Sequence, residues 1–436
     1  MLCLLSRFLL VASWVSVAAA ATPVVQTWTS TQGATVMYVP AETLPMLDIR
    51  VVFDAGSARD GNQPGLARFT NALLSEGAGD WDANTVAART EQQGIRLGNG
   101  AYRDMAWVSV RTLTAEPALS VAVETLAAVI AKPHFAAQSI AQIRQQIIVG
   151  LRHTAQSPGK VAAEQLYQAL YDDHPYAHPM SGTPTSLPAI NRATIQRFHQ
   201  QYYVAKNAVI AIVGAIDRQH AAKLADQVLA GLAPGQPAPA LPKPAPVSGQ
   251  NITTAFPASQ SHLYIGRMGM SRHDPDYFPL YVGNHILGGG SLTSILGEEV
   301  RNQRGLSYSV YSYFSPMQTT GPFVMVAQTK NAQATEALDV MQTVLQQFMT
   351  AGPSAEQLEA AKQYIVGSFP LAVASNSKIV EYIAMMGFYA LPLDWLETLP
   401  GKVQAVTAQQ IRDAFQRRIQ PQSPIQVVVG GAKPAP

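Results

Sequence analysis

Gly65-Leu-Ala-Arg-Phe-Thr-Asn-Ala-Leu-Leu74 reads as one amphipathic helix. Leu66, Phe69 and Leu73 recur at i, i+3 and i+7 and supply its buried stripe. Arg68 and Ala72 stand at i and i+4 and share another face, with Asn71 beside them. Two ligands at that spacing are how a helix grips a metal ion. Arg68 and Ala72 cannot serve that way: a guanidinium stays protonated, and alanine has no ligand atom.

Working outward, strands and helices alternate irregularly. Asp48–Phe53 and Ala106–Leu113 alternate in strand fashion, while Ser120 to Ile130, Ser139 to Arg152 and Lys160 to Tyr171 carry helical spacing. Long helices beside antiparallel-looking strands imply an α+β layer, a mostly antiparallel sheet with helices packed on one face. The clearest interruption is the run 232–246, whose six prolines favour an extended, semi-rigid linker. It separates residues 21–231 from residues 247–436.

The two stretches resemble each other. Ala189, Ile190 and Ile195 lie 216 positions before Ala405, Val406 and Ile411. In each, an amphipathic helix carrying Phe198 or Phe415 leads into a β-branched run, Val209–Gly214 or Ile425–Gly430, and the closing glycines are again 216 apart. Several coincidences at one offset indicate an internal duplication and two homologous domains.

Composition limits the function classes. With 47% hydrophobic and 13% charged residues the chain is globular. A net charge of +2 and the lack of any Lys/Arg-rich run give no footprint for nucleic acid. At the N-terminus Arg7 precedes an apolar run that ends in Ala18–Ala21, the pattern of a secretory signal peptide over residues 1–20. That run falls short of the ~20 residues a spanning helix needs, so no membrane span is expected after cleavage. The single cysteine, Cys3, lies inside the signal-peptide segment, before the apolar run, and the mature chain has neither disulfides nor thiolate chemistry at its disposal. The expected location is the periplasm.

The helix quoted first resembles the one that reads G-L-A-H-F-L-E-H-M-L in the insulinase/pitrilysin family of zinc peptidases and holds the inverted motif H-x-x-E-H. On that resemblance Arg68 and Ala72 stand where the two histidines would be, and Asn71 where the water-activating Glu would be. The family's third ligand, a Glu, falls near position 150, where this chain reads Gln142-Ile-Arg-Gln-Gln-Ile-Ile-Val-Gly-Leu151. No Asp or Glu occurs between Glu124 and Glu164. The surrounding framework resembles the family too: Asp173–Thr183 is similar to its H-P-Y-x-x-P-x-x-G-T segment, and Asn284–Ser291 through Glu299–Tyr308 to its L-G-G-G…E-x-R-x-x-x-G-L-x-Y block.

The resemblance implies two such domains forming half of a clamshell around a peptide chamber. It also implies a role for Arg301 and Tyr308 in contacting substrate, since both side chains donate hydrogen bonds that suit a developing oxyanion. Arg304 lies in the same segment but only four residues from the tyrosine. The expected function is that of a non-catalytic partner subunit, with no cofactor in this chain. Zinc is then held by a family homologue in a heterodimer that acts on peptides. The alternatives are a stand-alone peptide-binding or scaffold protein, or a peptidase with a relocated site. The pair His174 and His178 is at i, i+4, but Pro175 and Pro179 deny it a regular helix and hence a metal. Gly288–Gly290 lacks the Lys-Ser/Thr of a phosphate cradle and is read as close backbone approach. Arg68 is expected to face solvent or to be ion-paired.

Overall fold

A computed structural model describes residues 23–419 and 423–432; the expected signal peptide lies outside them. The first sheet contains β1 (Gln26–Thr29), β2 (Thr35–Pro40), β3 (Met46–Phe53), β4 (Arg96–Ala101), β5 (Ala106–Leu113) and β6 (Ala208–Gly214) in the order β1-β2-β6-β3-β5-β4. The second contains β7 (Gln250–Pro257), β8 (Gln260–Met268), β9 (Ser307–Phe314), β10 (Pro322–Lys330) and β11 (Ile425–Ala432) in the order β7-β11-β8-β10-β9. Leaving out the edge strand β1, the two sheets correspond strand for strand. The parallel pair β2·β6 is matched by β7·β11, and the other pairs are antiparallel in both. This is the duplication read from the 216-residue offset.

Each half's own helices cover one face of its sheet, as expected. In the first half Val36, Tyr38, Ile49 and Ile210 meet Leu66, Leu126, Ile195 and Leu224 from four helices. The second face is covered from the opposite half. Helix Asn376–Phe388 lays Ile379, Val380 and Ile383 on Met37, Val52 and Val209. Reciprocally, helix Pro158–Tyr171 sets Ala162, Leu166 and Leu170 against Tyr264, Val324 and Val427 of the second sheet. The physical demand is plain in β6, which is buried along its whole length: a strand apolar on both sides needs cover on both. A glycine admits each crossing helix, since a Cβ on Gly387 would sit 2.6 Å from Val209 Cγ1 and one on Gly266 2.5 Å from Leu166 Cδ1.

Polar groups tie the halves further. Buried Asp104 accepts the hydroxyl of Tyr176, the Tyr389 hydroxyl at 2.8 Å and the Gln318 N–H at 2.8 Å. Residues 232–246 hold no helix or strand. Prolines cannot donate, yet their carbonyls accept: Arg59 Nη1 reaches Pro239 O at 2.7 Å and His174 Nε2 reaches Pro242 O at 2.9 Å, strapping the segment to the first half. Among the described residues no helix is long and apolar enough to cross a membrane.

Candidate functional site

The helix Leu66–Ala72 is pinned at its start. Asp60 accepts the N–H groups of Gly65 and Ala67, both at 2.7 Å. Burial pushes the Asp60 carboxyl up to about 8 against the pull of those two donors. Gly65 adopts φ +95°, and a Cβ there would lie 2.8 Å from Gly182 Cα. That contact explains what the Asp173–Thr183 segment does for the fold, because its glycine lets the loop lie against the helix entry. Leu66, Phe69 and Leu73 are buried as the periodicity requires.

Of the three positions singled out in the sequence, two share the open face. Arg68 is exposed, its Nη1 donating to Ser181 Oγ at 2.9 Å, and Ala72 lines the same cavity of about 610 Å³. Asn71 turns the other way and is 1% exposed. Its Nδ2 donates to Trp107 O at 3.2 Å and Tyr203 Oη at 3.3 Å, while Asn99 Nδ2 donates to its carbonyl at 2.7 Å. The amide is thus spent on the core and is not presented to the cavity.

Helix Ala137–Ala155 supplies the opposite wall through Gln146, Ile147 and Gly150, so the stretch read as the third-ligand region does face Arg68. None of these side chains ligates zinc, and a guanidinium at the first position repels a cation. The residues do not fit the metal. Among the described residues no group of three or more His, Cys, Asp or Glu side chains stands where it could hold one.

Four further side chains border this cavity that no motif announced: Arg103, Lys160, Glu164 and Tyr167. Arg103 stacks its guanidinium 3.5 Å from the Tyr167 ring centroid and donates Nε to Tyr176 O at 3.1 Å. Burial lowers its pKa. Burial raises the Glu164 carboxyl, opposed by the charges of Arg103 and Lys160. Lys160, Glu164 and Tyr167 recur at i, i+4 and i+7, a stripe visible in the sequence. What the sequence lacks is the cavity that the stripe faces.

Arg301 and Tyr308 come together at a separate hollow of about 550 Å³, with the Arg301 guanidinium 4.7 Å from the Tyr308 ring centroid. Tyr308 is 82% exposed. Arg304 is tied to Glu299 at 2.5 Å and does not line that hollow. Gly288 lies against β9, where a Cβ would meet Ser312 N at 2.5 Å, which is close backbone approach. A third hollow of about 330 Å³ shares Lys160 and Ala163 with the Arg68 cavity and Ser309 and Tyr311 with the Arg301 hollow. The result is a run of three adjoining depressions across both halves. His174 is a structural residue: Nδ1 accepts from Tyr176 N at 3.1 Å and Nε2 donates to Pro242 O, and burial lowers its pKa.

Known proteins resemble this chain in sequence and fold. Residues 35–184 match the family model "Insulinase (Peptidase family M16)" and residues 189–365 match "Peptidase M16 inactive domain". A solved structure from Pseudomonas fluorescens, described as a peptidase M16 inactive domain, is 40% identical with a TM-score of 0.91, covering 94% of this chain and all of that one. The "non-peptidase homolog YmxG" of Helicobacter pylori is 24% identical over 87% of each chain. The "uncharacterized zinc protease YmxG" of Bacillus subtilis is 23% identical over 81% of this chain and 86% of its own. Relatives at similar distance thus carry opposite names, so the side chains must decide.

Proposed function

The chain belongs to the insulinase family, peptidase family M16, and from that premise we propose that it is a non-catalytic subunit that completes the peptide chamber of a zinc-bearing homologue. The observation that supports the reading is the cavity between helices Leu66–Ala72 and Ala137–Ala155, bordered by Arg68 and Ala72 where the family resemblance would put ligands. Zinc then resides in the partner, and this chain contributes chamber wall and the contacts of Arg301 and Tyr308. The signal-peptide pattern of residues 1–20 supports a periplasmic location for the complex.

The test is to purify the mature chain alone and with a homologue that carries H-x-x-E-H, then measure zinc content and peptide cleavage. The lone chain should hold no stoichiometric zinc and cleave nothing, while a stable complex should cleave faster than the homologue alone. Zinc and cleavage in the lone chain would overturn the reading. No complex, together with peptide binding by the lone chain, would favour a stand-alone peptide-binding protein.

A further inference from the structure

The cavity beside Arg68 is walled by helices Leu66–Ala72 and Ala137–Ala155 and carries mostly positive charge. Arg68, Arg103 and Lys160 border it against one carboxylate, Glu164. Among the described residues, none of these three cations forms an ion pair with a carboxylate. Arg68 is held by a serine hydroxyl, and Arg103 by a carbonyl and an aromatic face. A cation withdrawn from water with no carboxylate in direct contact is unfavourable; Arg103 is the most withdrawn of the three and feels Asp104 and Glu164 only from a distance. The site is therefore short of an anion.

The rest of the wall limits which anion. Ile143, Ile147, Leu151 and Met180 make one side apolar. A volume of about 610 Å³ is far more than an inorganic anion needs and falls in the range for sites that bury an organic ligand. The cavity is also not closed off, because Lys160 and Ala163 continue into the hollow that reaches Tyr311. An arginine-rich end, an apolar wall and an extended exit fit the last residue of a peptide.

The geometry points to a binding site for the free C-terminal carboxylate of a peptide. The carboxylate rests against Arg68, Arg103 and Lys160, and an apolar last side chain against Ile147, Leu151 and Met180. The preceding chain runs past Tyr311 towards Tyr308. This deepens the proposed chamber role and rests on reading the three depressions as one peptide groove. Where a zinc peptidase would cut a chain, this subunit holds a chain end.

The probe is an N-terminally fluorescein-labelled hexapeptide, Gly-Ser-Gly-Ala-Ala-Leu, made as the free acid and as the C-terminal amide. Binding to the mature chain is read by anisotropy. The acid should bind at least tenfold more tightly than the amide, and the double variant Arg68→Ala/Lys160→Ala should abolish that difference. Both side chains are exposed and outside any ion pair, so this variant should keep the wild-type melting temperature. Equal affinity for acid and amide, binding of neither, or a double variant that still prefers the acid would overturn the assignment. So would displacement of the acid by an equimolar amount of inorganic phosphate, which would make it a small-anion site. Failure here leaves the subunit reading standing if the complex with the zinc-bearing homologue still forms. Acid-selective binding without any complex would sink that reading and keep the site.

Discussion

The two depressions that would face each other across a peptide are built on opposite principles. At Arg68 the backbone is over-determined: Asp60 holds the helix start, Gly65 touches Gly182, and Asn71 is spent on Trp107 and Tyr203. At the second site half-buried Arg301 lies over the ring of fully open Tyr308. The difference teaches how a helix can be held firmly in place while the side chains on its open face stay free to vary. The packing that fixes the helix rests mainly on Leu66, Phe69, Asn71 and Leu73, whereas Arg68 adds one hydrogen bond to Ser181 and Ala72 packs only partly buried against the core.

Two glycines with left-handed backbone put that contrast to the test. Gly65 has φ +95° and a Cβ there would meet Gly182 Cα at 2.8 Å, while Gly305, between Arg301 and Tyr308, has φ +61° and nothing within 4 Å of a Cβ. Gly65→Ala adds steric overlap to backbone strain and should cost about 3 kcal/mol in urea unfolding. Gly305→Ala adds strain alone and should cost about 1 kcal/mol. Equal losses would break the comparison.

The first half should also be the acid-sensitive one. His199 is buried with Nε2 on Ile130 O at 2.8 Å and its ring stacked 5.0 Å from that of Tyr203. Burial lowers its pKa to about 4. Between the ordinary value of about 6.5 and about 4 the unfolded chain binds the extra proton, so stability falls as pH falls through that window, by roughly 2 to 3 kcal/mol. Urea unfolding of His199→Gln at pH 7 and pH 4 should show a shallower loss than the wild type. Parallel losses would show that His199 is not the acid-sensitive group.

The smallest effect belongs to the open site. Arg301→Ala should change stability by less than about 0.5 kcal/mol, because the side chain is outside any ion pair in the described structure. If the chamber reading holds, the same variant weakens peptide cleavage by the complex. Unchanged cleavage would make the Arg301–Tyr308 pair a relic.

Much of this was legible in the sequence, for physical reasons that differ by region. Period and spacing located β5 at Ala106–Leu113 and the helix ending at Tyr171, because each buries its apolar residues at a regular period. The 216-residue offset foretold the repeated sheet order. The exchange of helices between halves was not legible. Leu166 and Ile383 look like any buried helix positions, and nothing local says whose sheet they cover. At the site, the loss of ligands at 68 and 72 could be read from residue type alone. That Asn71 turns inward, and that Arg103, Lys160 and Glu164 converge on the vacated wall, depends on contacts between segments far apart in the chain.

We propose that the family's metal-binding position survives here as geometry without ligands. Calorimetric titration of zinc into the wild-type chain and into Arg68→His/Ala72→His tests it most directly. The wild type should show no one-to-one binding. The double variant, with two imidazoles on one open helix face, should acquire one-to-one binding at roughly micromolar affinity. Tight one-to-one binding by the wild type, or none by the variant, would contradict the claim.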